Sequence, residues 1–398
     1  MMNIIHVEDF FHPDAGYQIN ILPKYMVNEG HQVTIITTKM ETAPEGLTSF
    51  FGKHDIENRD QIYTKKTGVK IIRLNNRGFI SGRAVFSKEL FKVINDINPD
   101  VIYVHGNDTL TAIRLLLKFK NKNIPIVLDS HMLEMASINK FNKLFRNFYK
   151  KVITPIIIKK QIPVIRTQND NYVEKYLGIP LQQAPWISFG SDLLLFHPDK
   201  NVRKEFRKEY EINEDDFVVL YTGKLDEAKG GLILANSFKA NFKENKNVVL
   251  VVVGNTSGDY GKQVDKILSE SQNRVIRFET QKYMDLPKFY QAADISIFPT
   301  QCSLSFFDAQ ACGLPVLSEN NNINKDRLKY DNGFTFNSAD IHDIRDKVIT
   351  VMNMPVDNFE KMRRNSVEYV NKNYNYNKIA VEYLNILEGE VRKVYAVE

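Results

Sequence analysis

The sequence predicts an α/β protein of two Rossmann-like domains, each an open parallel sheet wrapped by helices. Three observations carry this. At 398 residues the chain exceeds what one ordinary hydrophobic core supports, so two domains are expected. Both halves alternate short apolar runs with helical patterns, the rhythm of strand–helix–strand units. Between them, Phe189-Gly190-Ser191-Asp192 and Phe196-His197-Pro198-Asp199 form a turn-rich junction leading into a highly charged segment that ends near Asp216. The domains are accordingly drawn at 1–195 and 196–375, with 376–398 as a terminal helix.

Taken in order, Asn3 to Val7 reads as the first strand and His12-Pro13-Asp14-Ala15-Gly16 as a loop. Ile19, Leu22 and Met26 start a helical stripe that Gly30 ends, with Pro23 marking a kink or the true start. Further strands are expected at Val33 to Thr37, Val69 to Leu74, Asp100 to His105 and Pro125 to Asp129, with helices near 86–96 and 107–120. Ile162 to Arg166 and Trp186 to Ser188 close this half. The second half repeats the rhythm, with strands at Phe217 to Thr222, Asn247 to Val253, Val275 to Phe278, Asp294 to Phe298 and Pro315 to Ser318. Helices lie between these and at 339–352, and the tail from about 356 reads as two helices. No short-period repeat or low-complexity tract interrupts the pattern.

Composition narrows the function classes. With 43% hydrophobic and 25% charged residues, the chain has the make-up of a soluble globular protein. The longest clean apolar run, Val248 to Val253, suits a buried strand and is far too short to span a bilayer. Acidic residues follow the amino terminus at once, so no signal-peptide pattern is read. Cys302 and Cys312 give neither a disulfide framework nor zinc-site spacing, and a reducing cytoplasm is the expected home. The net charge of +5 is mild and matters only where it is concentrated.

Phe298 to Val316, FPTQCSLSFFDAQACGLPV, organises the second half: a strand end, a Pro-closed polar loop, a helix, then a second strand. Open α/β sheets bind ligands at such carboxyl strand ends, and first-turn amides there suit an anion. Gly223-Lys224-Leu225-Asp226-Glu227-Ala228-Lys229-Gly230 also follows a strand and opens a helix, so Lys224 and Lys229 could form a cationic pocket for a diphosphate; two solvated surface lysines would read the same. His131, in Leu128-Asp129-Ser130-His131-Met132, and His105, in Val104-His105-Gly106-Asn107, each lie just past a strand end, as a functional or a packed histidine would. Asp14-Ala15-Gly16-Tyr17 is a loop where glycine permits close backbone approach, and Glu8 and Asp9 before it could bind an acceptor hydroxyl or simply be solvated.

The segment Asp308-Ala309-Gln310-Ala311-Cys312-Gly313-Leu314-Pro315-Val316 resembles the end of the donor-binding signature of GT-B retaining glycosyltransferases of the glycosyltransferase 4 (group 1) type. That signature usually reads P-S-x-x-E-G-F-G-x-x-x-x-E-A-M-A-C-G-x-P-V. Here Asp308 stands at the second acidic position, the first is absent, and Cys302-Ser303-Leu304-Ser305 replaces Glu-Gly-Phe-Gly in a loop about three residues shorter. Gly30-His31-x-Val33, the 189–198 junction, Gly223 to Gly230, Gly254, Ala293-Asp294 and Asn332-Gly333-Phe334 fall in the family's order and spacing.

The resemblance implies a GT-B fold: α/β, two Rossmann-like domains facing across a cleft, the last helix crossing back to the first. It implies an acceptor-binding first domain and a nucleotide-sugar-binding second one. The activity implied is a retaining, metal-independent hexosyltransferase using a UDP- or GDP-linked sugar, with no further cofactor. Lys224, in place of the family's arginine, and Lys229 would grip the donor diphosphate, and His131 would lie near the anomeric centre. Gly16, Gly223, Gly254, Ser303, Leu304, Ser305 and Asp308 would complete the donor site, Asp308 accepting from ribose hydroxyls. Glu8, Asp9, Tyr17 and His105 would meet the acceptor, a glycan or lipid-linked sugar of cell-envelope biosynthesis. A sugar-nucleotide epimerase or hydrolase of the same fold, and a non-catalytic GT-B partner protein, remain open alternatives.

Other signals lead elsewhere. Gly254 to Lys262 lacks Walker spacing, no G-x-G-x-x-G follows the first strand, and no D-x-D ends an apolar strand. Residues 140–160, KFNKLFRNFYKKVITPIIIKK, hold seven Lys/Arg and no acid. Phe141, Leu144, Phe145, Phe148, Val152 and Ile153 fall at helical spacing there, which fits an anionic membrane surface on the inner face or ordinary packing on the first sheet. Without a nucleic-acid-binding module, no nucleic-acid partner is expected.

Overall fold

The computed structural model describes residues 1–43, 51–119, 124–131, 142–242, 244, 246–300 and 303–396. The chain divides into two units, Met1–Phe189 with Tyr376–Glu398, and Gly190–Asn375. The division falls six residues before the boundary drawn from sequence. Its cause is local: Ser191 N–H donates to the Tyr374 carbonyl and Ser191 Oγ to Asp308, so the junction itself belongs to the second unit.

In the first unit, β1 (Asn3–Val7), β2 (Gln32–Thr38), β3 (Lys70–Leu74), a hairpin of β4 (Asn76–Ile80) and β5 (Arg83–Phe86), β6 (Val101–Val104), β7 (Ile126–Ser130) and β8 (Val164–Arg166) appear in order. The main sheet is ordered β3-β2-β1-β6-β7-β8 and is parallel throughout. Strands buried on both faces read as unbroken apolar runs, which is why Val101–Val104 and Ile126–Ser130 were legible. The β4–β5 hairpin was not foreseen, because Ser81-Gly82 is a turn between two short, half-polar runs. The expected strand Trp186–Ser188 reduces to one bridge between Arg166 and Trp186. Helix Tyr376–Tyr395 packs on helix Gln18–Asn28, with Tyr25 stacked on Tyr376 at 5.9 Å.

The second unit repeats the plan with β9 (Phe217–Thr222), β10 (Val248–Val253), β11 (Arg274–Phe278), β12 (Ile295–Phe298), β13 (Val316–Glu319) and β14 (Gly333–Phe336). Its parallel order is β11-β10-β9-β12-β13-β14. Each sheet therefore reverses its strand order once, between β1 and β6 and between β9 and β12. Ligand crevices of doubly wound sheets open at the carboxyl ends of the strands at such a reversal.

The basic segment is two helices, Asn142–Phe148 and Thr154–Lys160, joined by one wide i→i+5 turn, Tyr149–Ile153. Tyr149, Ile153 and Ile157 are buried in the first unit's core, whereas Leu144, Phe148, Val152 and Ile158 are exposed. The expected single stripe is thus two stripes, since the wide turn shifts the register. Lys140 and Phe141, like Gln301 and Cys302 of the shortened loop, lie outside the described residues.

Candidate active site

In the first unit the loops after β1, β6 and β7 supply the candidate side chains, and β1 and β6 flank the strand-order reversal. Glu8 and Asp9 follow β1, His105 follows β6 and His131 follows β7. The loop from Glu8 to Tyr17 is held from within: Asn20 accepts from Tyr17 N–H at 3.2 Å and donates to the His12 carbonyl at 2.8 Å. Arg59 pairs with Asp14 at 3.0 Å. Gly16 is half-buried in this loop and Tyr17 is exposed.

The centre of the cluster is Asp129, fully buried on β7. Its Oδ2 accepts from Tyr103 O–H at 2.7 Å and lies 3.1 Å from His105 Nδ1. Its Oδ1 accepts from Gly106 N–H at 2.7 Å and lies 2.9 Å from His131 Nε2. Behind His105, its Nε2 meets His6 Nδ1 at 3.0 Å. Burial drives the His6 pKa well below the ordinary value, so His6 is neutral. His105 Nδ1 faces the Asp129 carboxylate, one proton lies between His6 Nδ1 and His105 Nε2, and His6 Nε2 lies 3.3 Å from Met26 Sδ. Burial works to raise the Asp129 pKa, but His131 and His105 hold it far below the carboxylate range. Burial likewise opposes charge on His131, and the Asp129 carboxylate overrides it to raise the pKa.

His105 is a correction to the sequence reading. At 3% exposure, with both ring nitrogens engaged, it offers no atom to an acceptor and instead supports Asp129. His105, Asp129 and His131 bring ligand-type atoms within 4.8 Å of one another, the only such group among the described residues. Tyr103 O–H and Gly106 N–H already donate to the two Asp129 oxygens.

Asp9 is buried; its Oδ1 accepts from Thr111 O–H at 2.9 Å, while Oδ2 has no hydrogen-bond partner among the described residues. Burial first, then the Glu8 charge, pushes the Asp9 pKa up to about 7, so near neutral pH it can donate or accept a proton. Asp108 is also raised by burial, opposed by Arg83 and His131. Arg83 reaches Glu8 at 3.8 Å. Asp108, Arg83 and Asp129 escaped the sequence reading. Asp129 carried a signal, since residues two apart at a strand end face the same side and Asp129 stands two before His131.

In the second unit the loops after β9 and β12 meet: Thr300 Oγ1 donates to the Ala228 carbonyl at 2.6 Å. Gly223 is held at φ +142°, which L side chains rarely adopt, and a Cβ on Gly254 (φ +148°) would collide with the Gly223 carbonyl. Lys224 is exposed and Lys229 half-buried on this loop. The amides that open the helix after Lys229 are used internally. Gly230 N–H goes to Glu227 and Gly231 N–H to Asp226, while Leu232 N–H goes to the Tyr260 hydroxyl. The cause is Asp226, whose side chain accepts from Lys229 N–H and folds Glu227–Lys229 into a tight turn ahead of a short helix, Gly231–Ser237.

Asp308 lies on helix Ser305–Ala311, 6% exposed, with its Oδ1 accepting from Ser191 at 2.7 Å. Ser303, Leu304 and Ser305 are half-buried just before it. Arg327, which the sequence did not single out, donates to the Ser303 carbonyl at 3.3 Å and lies over the Phe307 ring at 4.6 Å. It clamps the shortened loop onto its helix.

Residues 202–373 match the family model described as glycosyl transferases group 1. A probable sucrose-phosphate synthase of Thermosipho melanesiensis is 24% identical over 95% of this chain and 92% of its own length. A lipopolysaccharide 1,2-N-acetylglucosaminetransferase of Salmonella typhimurium is 31% identical over 30% of this chain, which spans 34% of that relative. Among solved structures, Anabaena HepE in complex with UDP and glucose superposes with a TM-score of 0.73 at 16% identity, over 98% of this chain and 100% of that one. The chain thus has the GT-B fold along nearly its whole length, and residues 202–373 of its second unit are similar to the group 1 glycosyl transferases.

Proposed function

We propose that the chain is a retaining, metal-independent glycosyltransferase. It would move a sugar from a UDP- or GDP-linked donor to a glycan or lipid-linked acceptor of the cell envelope. The observation that carries the reading is the junction of the Gly223–Gly230 and Pro299–Asp308 loops at the second sheet's strand reversal, fastened by Thr300 and Ala228. Lys224 and Lys229 would neutralise the diphosphate as the glycosidic bond breaks and charge develops on the leaving group. Asp308 would receive the ribose hydroxyls, with Ser303, Leu304 and Ser305 around the sugar. His131 would face the reacting sugar, Gly16 would approach the donor, and Glu8, Asp9 and Tyr17 would meet the acceptor. HepE's UDP and glucose support the donor class, and the Salmonella relative's lipopolysaccharide supports the envelope acceptor. The segment 142–160 would rest on an anionic membrane face, giving access to a lipid-linked acceptor.

Calorimetric titration of the full chain with UDP-glucose, UDP-N-acetylglucosamine and GDP-mannose tests the donor reading. Saturable binding of one, with the product's anomeric configuration matching the donor's by NMR and activity persisting in chelator, is the expected result. Binding of none of the three would sink it, and an inverted product would remove the retaining mechanism.

A further inference from the structure

We propose that Asp129 is a positioning residue for His131: its Oδ1 pairs with Nε2 at 2.9 Å, off the line of a hydrogen bond, and this charge pairing holds the ring with Nδ1 as the atom that meets the ligand. This rests on the reading of His131 as a substrate-facing residue. The geometry is that of a carboxylate fixed before it is used. Tyr103 O–H and His105 Nδ1 hold Oδ2, and Gly106 N–H fixes Oδ1, so the carboxyl cannot rotate without breaking hydrogen bonds in a fully buried setting. His105 is in turn fixed by His6. On the far side, the Phe189 ring stacks on His131 at 5.5 Å and 24°, so the imidazole plane is set by packing as well as by charge. His131 alone of this array is partly exposed, with about a third of its side chain accessible.

An imidazole held at Nε2 by an anion presents Nδ1–H as a cationic donor. Such a donor suits a sugar hydroxyl or a diphosphate oxygen better than a neutral ring would. The charged and titratable groups facing His131 are Asp129, Glu8 and Arg83, with Asp108 and the stacked His105 ring nearby. Asp129 is the nearest anion and Arg83 the opposing cation, and the balance raises the His131 pKa.

The test separates this proposal from the reading beneath it. Histidine-selective 15N-labelled full-length protein is titrated by NMR in wild type, Asp129→Asn and Tyr103→Phe, with turnover of the bound sugar nucleotide measured for each and for His131→Ala. The His131 midpoint is expected above that of free histidine in wild type and in Y103F, and lower by about one pH unit or more in D129N. Turnover in D129N should fall at least tenfold with little change in donor KM, and combining D129N with H131A should cost no more than H131A alone. An unchanged midpoint in D129N overturns the proposal, as does an equal fall in Y103F, which would show loosened packing instead of a lost ion pair. Stoichiometric zinc in the purified protein overturns it too. Full activity in H131A would remove the underlying reading while leaving the midpoint shift to be scored on its own. Thermal unfolding of each variant confirms that the fold is kept.

Discussion

Ser191 Oγ donates to Asp308 Oδ1 at 2.7 Å, in a pocket that keeps the carboxyl 6% exposed. Burial raises the Asp308 pKa to about 8, against the Ser191 hydrogen bond and with the Asp192 charge adding to burial. A folded-state value above the unfolded one means the native chain holds a proton that the unfolded chain has released. The resulting stability is present in full below about pH 4 and is lost as pH rises to about 8, at about 1.4 kcal/mol per unit of separation. Asp308→Asn keeps an acceptor for Ser191 and cannot ionise. Urea unfolding at pH 5, 7 and 8.5 should show the wild type weakening with pH more steeply than the variant; parallel curves would mean Asp308 titrates as an ordinary aspartate.

Lys229 sits on the tight turn that Asp226 closes, so its backbone is fixed, and the residue is half-buried. With the neighbouring amides committed to Asp226, Glu227 and Tyr260, a diphosphate there would depend on the two lysines. Lys229→Ala is expected to lower turnover at least tenfold, about 1.4 kcal/mol of transition-state stabilisation. Unchanged kinetics would remove Lys229 from the mechanism.

The parallel strands were legible because both faces of each sheet are buried, so β9 and β10 are nearly pure apolar runs. The loops that carry polar residues at their ends were legible for the same reason. What escaped was the partnership of those residues. Asp129 is an aspartate inside an apolar strand, and its role depends on Tyr103 of β6 and His105 just past it, a pairing no spacing rule encodes. Lys224 and Lys229 were visible, but the closure of the adjacent amides by Asp226 and Tyr260 was not, because Tyr260 lies on a separate helix. The basic segment misled for a local reason: one wide turn at Tyr149–Ile153 rotates half of it.

Tyr383 joins the terminal helix to the first unit's sheet. It is fully buried, accepts from Gln18 Nε2 at 2.7 Å and donates to the Ile187 carbonyl at 3.2 Å. Its ring meets Tyr103 edge-on at 5.9 Å, one residue from the Asp129 carboxylate that Tyr103 holds. Tyr383→Ala should cost about 3–5 kcal/mol, the range for deleting a buried aromatic side chain. Tyr383→Phe, which loses only the hydroxyl, should cost about 1 kcal/mol. Denaturant unfolding decides between this and a loosely docked tail, for which both variants would unfold like the wild type.

Leu144 at 74% and Phe148 at 44% exposure stand on the first helix of the basic segment, with Val152 and Ile158 exposed farther along. Lys143, Lys151, Lys159 and Lys160 lie on the same segment, while Arg146 covers the Tyr176 ring at 3.9 Å and Lys150 donates to the Lys175 carbonyl. Exposed apolar side chains among cations are what an interfacial helix needs, since apolar burial and attraction to anionic lipid add, the latter by about 1 kcal/mol per basic residue. No helix among the described residues is long and apolar enough to cross a membrane. Co-sedimentation with phosphatidylglycerol vesicles should be strong for the wild type and weak with phosphatidylcholine. It should drop about tenfold in Leu144→Ser/Phe148→Ser and again near 1 M salt, where screening shortens to about 3 Å. Equal sedimentation of the variant and the wild type would show that this face packs against something other than lipid.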